Sequence, residues 1–144
     1  MDFFSSMDIS ASAMSAERIR MNLISGNLAN ANSTRTAEGG PYKRKDAVFT
    51  AVPESGSFGA ALDRSAQGLE GVQVTDIVED QSAPRLQYDP TNPDANAQGY
   101  VAFPNVNVVS EMADMITASR AYEANVTAVQ SAKNMALKTL ELGK

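Results

Sequence analysis

Apolar residues recur every three or four positions at both ends of the chain, which is the spacing of one face of an α-helix. Near the N-terminus this pattern covers residues 7–30, where two neighbouring apolar rows give the predicted helix more than one apolar face. Gly26 and the asparagines after it tolerate left-handed backbone, so we expect the helix to end close to that point. A second helix is predicted over residues 108–142, with Asn107 as its N-cap and Glu111 in its first turn.

Between the helices, short alternating runs of apolar and polar residues are separated by Gly and Pro, which is typical of strands. Four such runs occur, at residues 46–52, 71–78, 85–88 and 100–103. The sequence therefore predicts an α+β fold class, in which long N- and C-terminal α-helices form a coiled-coil-like helical domain and a small, mostly β domain is inserted between them. The predicted parts are the N-terminal helix in residues 1–33, the β-rich domain in 34–104 with a flexible loop at about 54–71, and the C-terminal helix in 105–144.

Two apolar seams run along the predicted C-terminal helix, about 110° apart, and together they form an arc of about 160°. The first has the a/d spacing of a coiled coil and contains Met112, Met115, Ser119, Tyr122, Val126, Val129, Lys133, Ala136 and Leu140. The second is made mostly of small residues, namely Ala118, Ala121, Asn125, Ala128, Ala132, Met135, Thr139 and Leu142. Polar residues occupy the opposite side: Arg120, Glu123, Thr127, Gln130, Asn134 and Glu141.

The C-terminal helix is too long for its own domain. It spans roughly 50 Å, whereas a compact globule of this length is about 40 Å across and the N-terminal helix spans only about 36 Å. We therefore expect the two seams to meet different neighbours, with the Ala-rich seam left without a partner inside the chain. Periodicity alone leaves an ordinary two-helix hairpin on the β domain as an alternative.

These patterns predict a subunit interface on both helices. On the N-terminal helix its residues are Ile9, Ala16, Ile19, Leu23, Asn27, Leu28 and Asn30. On the C-terminal helix they are Met112, Met115, Ala118, Ser119, Ala121, Tyr122, Val126, Ala128, Val129, Ala132, Ala136 and Leu140.

The amino-acid composition predicts a small hydrophobic core and argues against one class of binding partner. Leu, Ile, Val and Phe make up only about 20% of the residues, near the border for independent folding, while Ala occurs 22 times. The net charge of −5 argues against a nucleic-acid partner, which requires clustered Lys and Arg. The single basic run, at residues 43–45, is interpreted as a solvated strand end.

The sequence also lacks the residues of most catalytic and metal sites. With no Cys and no His, thiol nucleophiles, Ser-His triads and the usual zinc ligands are excluded. Asp94, Asn96, Gln98 and Gly99 resemble the start of a calcium loop, but Asn105 stands where the twelfth-position Glu is required. Consecutive turns explain this segment better. The sequence therefore predicts no enzyme activity, no cofactor and no metal.

Several motifs carry a likeness to a known family. The Asn-rich segment "SGNLANANSTRT" (25–36) resembles the signature of bacterial flagellar axial proteins, which include rod and hook subunits. The segments "GGPYKRK" (39–45), "YDPTNPDANAQGYV" (88–101), "PNVNVVSEMADMITASRAYEANV" (104–126) and "KTLELGK" at the C-terminus are similar to proximal rod subunits in particular. Ser33 departs from the Thr that is usual at this position, and residues 53–70 match no known motif.

The resemblance implies a structural subunit of the flagellar basal-body proximal rod, a tubular drive shaft that transmits motor torque to the hook and distal rod. It implies as partners the protein itself, other proximal and distal rod subunits, the basal-body adaptor protein, membrane-ring components and the type III export apparatus. It also implies a rod that spans the periplasm, export without a cleaved signal peptide, and terminal helices that fold on assembly. The chain has no run of 18 apolar residues, and its first residues, "MDFFSSMDIS", lack the basic start of a Sec signal. The alternative is a helical-hairpin binding or adaptor module that does not polymerise.

Overall fold

The computed structural model describes residues 3–52 and 70–142 of the chain. Its regular elements are helix α1 (Phe3–Ala29), strands β1 (Lys45–Val52), β2 (Gly71–Glu79), β3 (Arg85–Tyr88) and β4 (Tyr100–Phe103), and helix α2 (Val108–Leu142). Two long terminal helices with strands between them confirm the predicted α+β class. The predicted loop at 54–71 lies outside the described residues except for its last two positions, and Gly71 already belongs to β2.

Helix α1 begins at Phe3, earlier than the apolar pattern indicated, because its first turns accommodate serine. The hydroxyl of Ser10 donates a hydrogen bond to Ser6 O at 2.9 Å, and that of Ser12 donates to Ile9 O at 2.8 Å. Serine makes this contact with the preceding turn inside helices. The Ser-rich start is therefore continuous with the helix.

Helix α1 ends at Ala29, but the interactions at its end differ from those expected. No described residue other than glycine has a positive φ, so the expectation of left-handed asparagines was wrong. Instead, Asn30 Nδ2 donates to Gly26 O at 2.9 Å, and Ser33 Oγ donates to Asn30 Oδ1 at 3.1 Å. The Asn30 side chain thus bonds to the last turn of the helix, where Gly26 O also accepts from Asn30 N at 3.1 Å, and Ser33 bonds to that side chain.

Helix α1 is the central element, because it contacts α2 on one side and the β1–β2 hairpin on another. Asn27 near the end of α1 bonds to Glu111 in the first turn of α2, so the two helices run antiparallel. On the hairpin side, Ser12 Oγ accepts a hydrogen bond from Val72 N at 3.1 Å. These two packed sides explain why apolar residues cover more than one face of α1.

The core is thin, as the composition predicted. In the described part of the chain the buried apolar side chains are Ala16, Ile24, Ala31, Val101, Pro104, Ala118 and Ala132. Four of these are alanine, whose small side chain removes little apolar area from water. Polar contacts must therefore contribute to holding the elements together.

The four strands lie where they were predicted, to within one residue, and form two antiparallel hairpins. In β1–β2, Lys45 pairs with Glu79, and the register shifts after Val48. In β3–β4, Tyr88 pairs with Tyr100. The described strands of one hairpin do not pair with those of the other, so the β region is two ribbons rather than one sheet.

The connection from β3 to β4 consists of consecutive turns, which confirms the interpretation of this segment. Side-chain oxygens of Asp89, Asn92 and Asn96 accept hydrogen bonds from the backbone N–H two residues further on, at 3.2, 3.0 and 2.9 Å. Gly99 closes the connection with a φ of +81°, and a Cβ there would lie 2.8 Å from Tyr88 Cε2. Of the side chains that resembled calcium ligands, Asn96 thus binds the backbone of the loop, whereas Asp94 Oδ2 accepts a hydrogen bond from Thr34 Oγ1 at 2.8 Å.

A buried polar junction joins the end of α1, the start of β1 and the first turn of α2. Its centre is Asn27, which is completely buried. Asn27 Nδ2 donates to Lys45 O at 2.9 Å and to Glu111 Oε2 at 3.0 Å, while Oδ1 accepts from Lys45 N at 2.9 Å and from the Tyr42 hydroxyl at 3.0 Å. Every hydrogen-bonding position of the amide is therefore used, and only one orientation of it fits.

Glu111 links this amide to a positive charge. It is 1% exposed, and Arg44 Nε donates to its Oε1 at 2.6 Å. The interpretation of residues 43–45 as a solvated strand end is therefore wrong for Arg44, whose side chain is 25% exposed. It holds for the two lysines of the run, whose ammonium groups lie 3.9 and 3.4 Å from carboxylate oxygens of Glu79.

The junction also shifts two pKa values. Burial raises the pKa of the Tyr42 phenol, although the charge of Lys45 opposes the shift. Burial disfavours the charged form of Arg44, but hydrogen bonds to Glu111 and Asp46 outweigh this and raise the pKa of the guanidinium. Tyr42 therefore keeps the proton that it donates to Asn27, and Arg44 keeps its charge.

The replacement Glu111→Ala should lower the free energy of unfolding by about 2–3 kcal/mol, because the Asn27 amide and Arg44 lose the acceptor that they share. Partial exposure of Arg44 lets water replace some of this interaction. Urea titration measures the loss. The matched control is Glu123→Ala on the exposed side of α2, which should change stability by less than about 0.5 kcal/mol. Equal effects of the two variants would contradict the role of the junction.

Gly99→Ala should destabilise the protein by more than Gly40→Ala does. Both glycines have a positive φ, which costs an L-residue about 1–2 kcal/mol. A Cβ at Gly40 meets nothing within 4 Å, whereas one at Gly99 meets the Tyr88 ring. Urea titration of the two variants therefore separates backbone strain from the steric clash, and an indistinguishable pair would show that the ring moves aside freely.

Candidate subunit interface

The predicted interface residues fall into three groups by exposure. Four are buried within the chain: Ala16, Asn27, Ala118 and Ala132. Twelve are half-buried: Ile9, Ile19, Leu23, Leu28, Asn30, Met115, Ser119, Ala121, Tyr122, Val126, Val129 and Ala136. The remaining three, Met112, Ala128 and Leu140, are exposed. As long as the two helices stay paired, only the half-buried and exposed groups have surface to offer another molecule.

The Ala-rich seam has a partner within the chain, contrary to expectation. Ala118 and Ala132 of this seam are buried, and α1 is the only regular element that α2 contacts among the described residues. Small side chains let two helix backbones approach closely, so α1 covers positions on both seams. Hydrophobic periodicity places the seams around the axis of α2. It does not tell how closely a neighbouring helix approaches the surface between them.

The C-terminal end of α2 extends beyond α1. Since Glu111 lies beside Asn27, the 24 residues from Asn27 back to Phe3 bring the start of α1 level with about residue 135 of α2. The remaining turns have no partner from α1. They expose Met135, Leu137 and Leu140, the last to 71%. We call residues 135–142 the overhang.

A second exposed apolar surface lies at the other end of α2. Val109, Met112 and Ile116 are three and four residues apart and therefore lie on one helix face. Val109 is 77% exposed, and the other two are more than half exposed. We call these three residues the N-terminal stripe. Sequence reasoning missed Val109 and Ile116 because they lie outside both seams, although their spacing was a usable signal.

The β3–β4 hairpin exposes apolar side chains as well. Leu86, Tyr88 and Tyr100 are exposed on it, and the two rings meet edge to face with their centroids 5.4 Å apart. Gly99 lies against the Tyr88 ring of this pair, in a position where a side chain would clash. Sequence reasoning assigned these residues to strands without marking them as surface.

Between the two ends, the exposed side of α2 is polar or small. Arg120, Glu123, Thr127, Gln130 and Asn134 are all exposed, as the pattern predicted. In the portions 3–52 and 70–142, no cluster of three or more acidic side chains is arranged to hold a metal ion. Within the same portions, neither helix is long and apolar enough to cross a membrane.

This arrangement of exposed apolar surfaces is typical of a protein that binds other proteins rather than of a catalytic site. Large apolar patches left in water by a single chain usually mark contact surfaces with other proteins. Here they lie at both ends of the longest helix and on a hairpin, separated by polar surface. The candidate functional site is therefore a set of contact surfaces.

Comparison with known proteins assigns the chain to a family. The family described as "Flagella basal body rod protein" matches residues 7–35, which cover most of α1 and the segment after it. The family described as "Flagellar basal body rod FlgEFG protein C-terminal" matches residues 97–142, which cover β4 and α2.

Curated relatives match the whole length. The flagellar basal-body rod protein FlgC of Bacillus subtilis (strain 168) is 45% identical, with 100% of both chains covered. The protein of the same name from Escherichia coli O6:H1 is 44% identical over 95% of both chains, and that from Borreliella burgdorferi is 42% identical over 94% of this chain and 93% of its own. The chain therefore belongs to the family of the flagellar basal-body rod protein FlgC.

Proposed function

We propose that this chain is a structural subunit of the bacterial flagellar basal-body rod, and that it assembles through α1 and α2 into a tube that transmits motor torque. The observation that carries the proposal is the placement of exposed apolar surface at both ends of α2. Among the described residues, α1 covers neither the overhang nor the N-terminal stripe, since its first turn reaches only the level of about residue 135 of α2 and it faces away from the stripe. Neighbouring subunits cover them in the proposed tube. The family is a structural one, not an enzyme family.

Burial of these surfaces supplies the energy of assembly. A leucine or methionine side chain that passes from water to a packed interface contributes about 1.5–3 kcal/mol. Several such residues per subunit lie on the overhang and the stripe, so each added neighbour stabilises the tube. Densely interdigitated side chains also resist the sliding of one subunit along another. Shear force is therefore transmitted between subunits by many packing contacts together and not by one dominant bond.

The proposal extends to partners and location. The chain contacts copies of itself and other rod subunits, the basal-body adaptor protein and membrane-ring components, in a rod that spans the periplasm. Export proceeds through the flagellar type III apparatus without cleavage.

Leu140→Asp should abolish incorporation into the rod while leaving the fold of the single chain unchanged. Leu140 is 71% exposed, so a carboxylate there stays hydrated in the single chain but is desolvated in a contact. Swimming of a strain that carries only the variant, and the content of detergent-extracted basal bodies, measure the effect. Gln130→Asp on the polar side of α2 is the control and should assemble. A motile Leu140→Asp strain would contradict the proposed contact.

Val126→Asp and Ala128→Asp should fail in different ways. Val126 is half-buried, and α1 is the regular element that α2 contacts among the described residues, so a charge there should weaken the helix pair by more than about 1 kcal/mol. Ala128 is exposed, and its variant should melt like the native chain by circular dichroism yet incorporate poorly. The loss of assembly by both variants with identical melting curves would show that the helix pair described above does not form in the single chain.

A further inference from the structure

The contact between α1 and α2 does not by itself fix how far one helix lies along the other. Its buried apolar residues are mostly alanines, and the seams of α2 repeat with the a/d spacing. A slide of seven residues, about 10 Å, brings an equivalent face of α2 to α1. Ala128 then takes the place of Ala121, and Ala136 takes that of Val129. At the two buried alanines, Asn125 takes the place of Ala118 and Thr139 that of Ala132. The shifted alignments therefore again place short side chains against α1.

The polar junction does not tolerate such a slide. Asn27 and Glu111 are both buried, and their side chains are joined at 3.0 Å across 84 residues of sequence. A slide of about 10 Å would separate them and leave a buried amide and a buried carboxylate without their partners. Arg44 would lose Glu111 at the same time. This free-energy penalty therefore raises the energy of the shifted alignments and leaves the native one unaffected.

We propose that the Asn27–Glu111–Arg44 cluster is a register lock, which selects one alignment of α1 and α2 among several that the apolar contact permits. A single buried polar residue is known to set register in coiled coils in this way. The lock also fixes how much of α2 extends beyond α1, and so the length of the overhang. The inference concerns the single chain and goes beyond the proposed assembly into a rod.

Register and stability are separable in this cluster. Replacement of a buried ion pair by apolar residues of similar size is often neutral or stabilising, whereas removal of one partner is not. The double variant Glu111→Leu/Arg44→Met removes both charges together, and Asn27 keeps its bonds to Lys45 and Tyr42. If the cluster only adds stability, this variant keeps the native alignment. If it selects the register, alignment is lost while helix content remains.

Distances between nitroxide labels, measured by double electron–electron resonance, distinguish these cases. The chain has no cysteine, so Asn22→Cys and Asn134→Cys, both at exposed positions, carry the only two labels. They are offset along the helix pair by about 18 residues, or 27 Å. Trimethylamine N-oxide is added to the sample because this osmolyte favours the state in which the two helices are packed. The pair Thr117→Cys and Asn134→Cys lies within α2 and is the control, because a slide leaves its distance unchanged.

With the native junction we expect one narrow distance for the labels at positions 22 and 134. With Glu111→Leu/Arg44→Met we expect a second population displaced by about 10 Å, while the control pair keeps its distance. An unchanged single distance in the double variant, or several distances with the native junction, would overturn the register lock. If the double variant loses its helical circular dichroism, Glu111→Leu alone is measured with the same labels, since Arg44 keeps its hydrogen bond to Asp46, and a single native distance there overturns the proposal. None of these distance measurements requires the chain to assemble into a rod.

Discussion

The hydrogen bond between Asn27 and Glu111 is the contact on which the rest of this fold depends. It joins the end of one helix to the start of the other, and the same amide holds both backbone groups of Lys45, where the first strand begins. Buried polar groups are costly unless every one is paired, and here the amide is fully paired. Because the apolar core is thin and consists largely of alanine, this junction contributes a larger share of the specificity of the fold than it would in a domain with a leucine-rich core.

The position of α1 explains both what is buried and what is exposed. It lies between α2 and the β1–β2 hairpin, and it is shorter than α2. Once the junction aligns the two helices, the final turns of α2 extend beyond their partner. The overhang is therefore a consequence of unequal helix lengths and a fixed starting point. Since the N-terminal stripe faces away from α1, a single chain leaves apolar surface at both ends of its longest helix, as a subunit of an assembly requires.

Much of the backbone was predictable from the sequence, whereas the contacts between elements were not. Hydrophobic periodicity located both helices and all four strands, because these signals are local. The role of Asn27 was missed, since its partners lie 15, 18 and 84 residues away and the residue looked like a helix stop. Glu111 was recognised as a first-turn acid, but nothing local marks it as buried. The Ala-rich seam was assigned to another molecule because periodicity gives angles around a helix and not how closely a neighbour approaches.

The central claim is that both ends of α2 are open in the single chain and covered in the rod. Thiol reactivity measures this directly, because the chain has no cysteine of its own. A cysteine at Ile116 or at Leu140 should react with a maleimide in the isolated chain and be protected in extracted basal bodies, while one at Gln130 should react in both. Equal reactivity of all three positions in free and assembled protein would contradict the account.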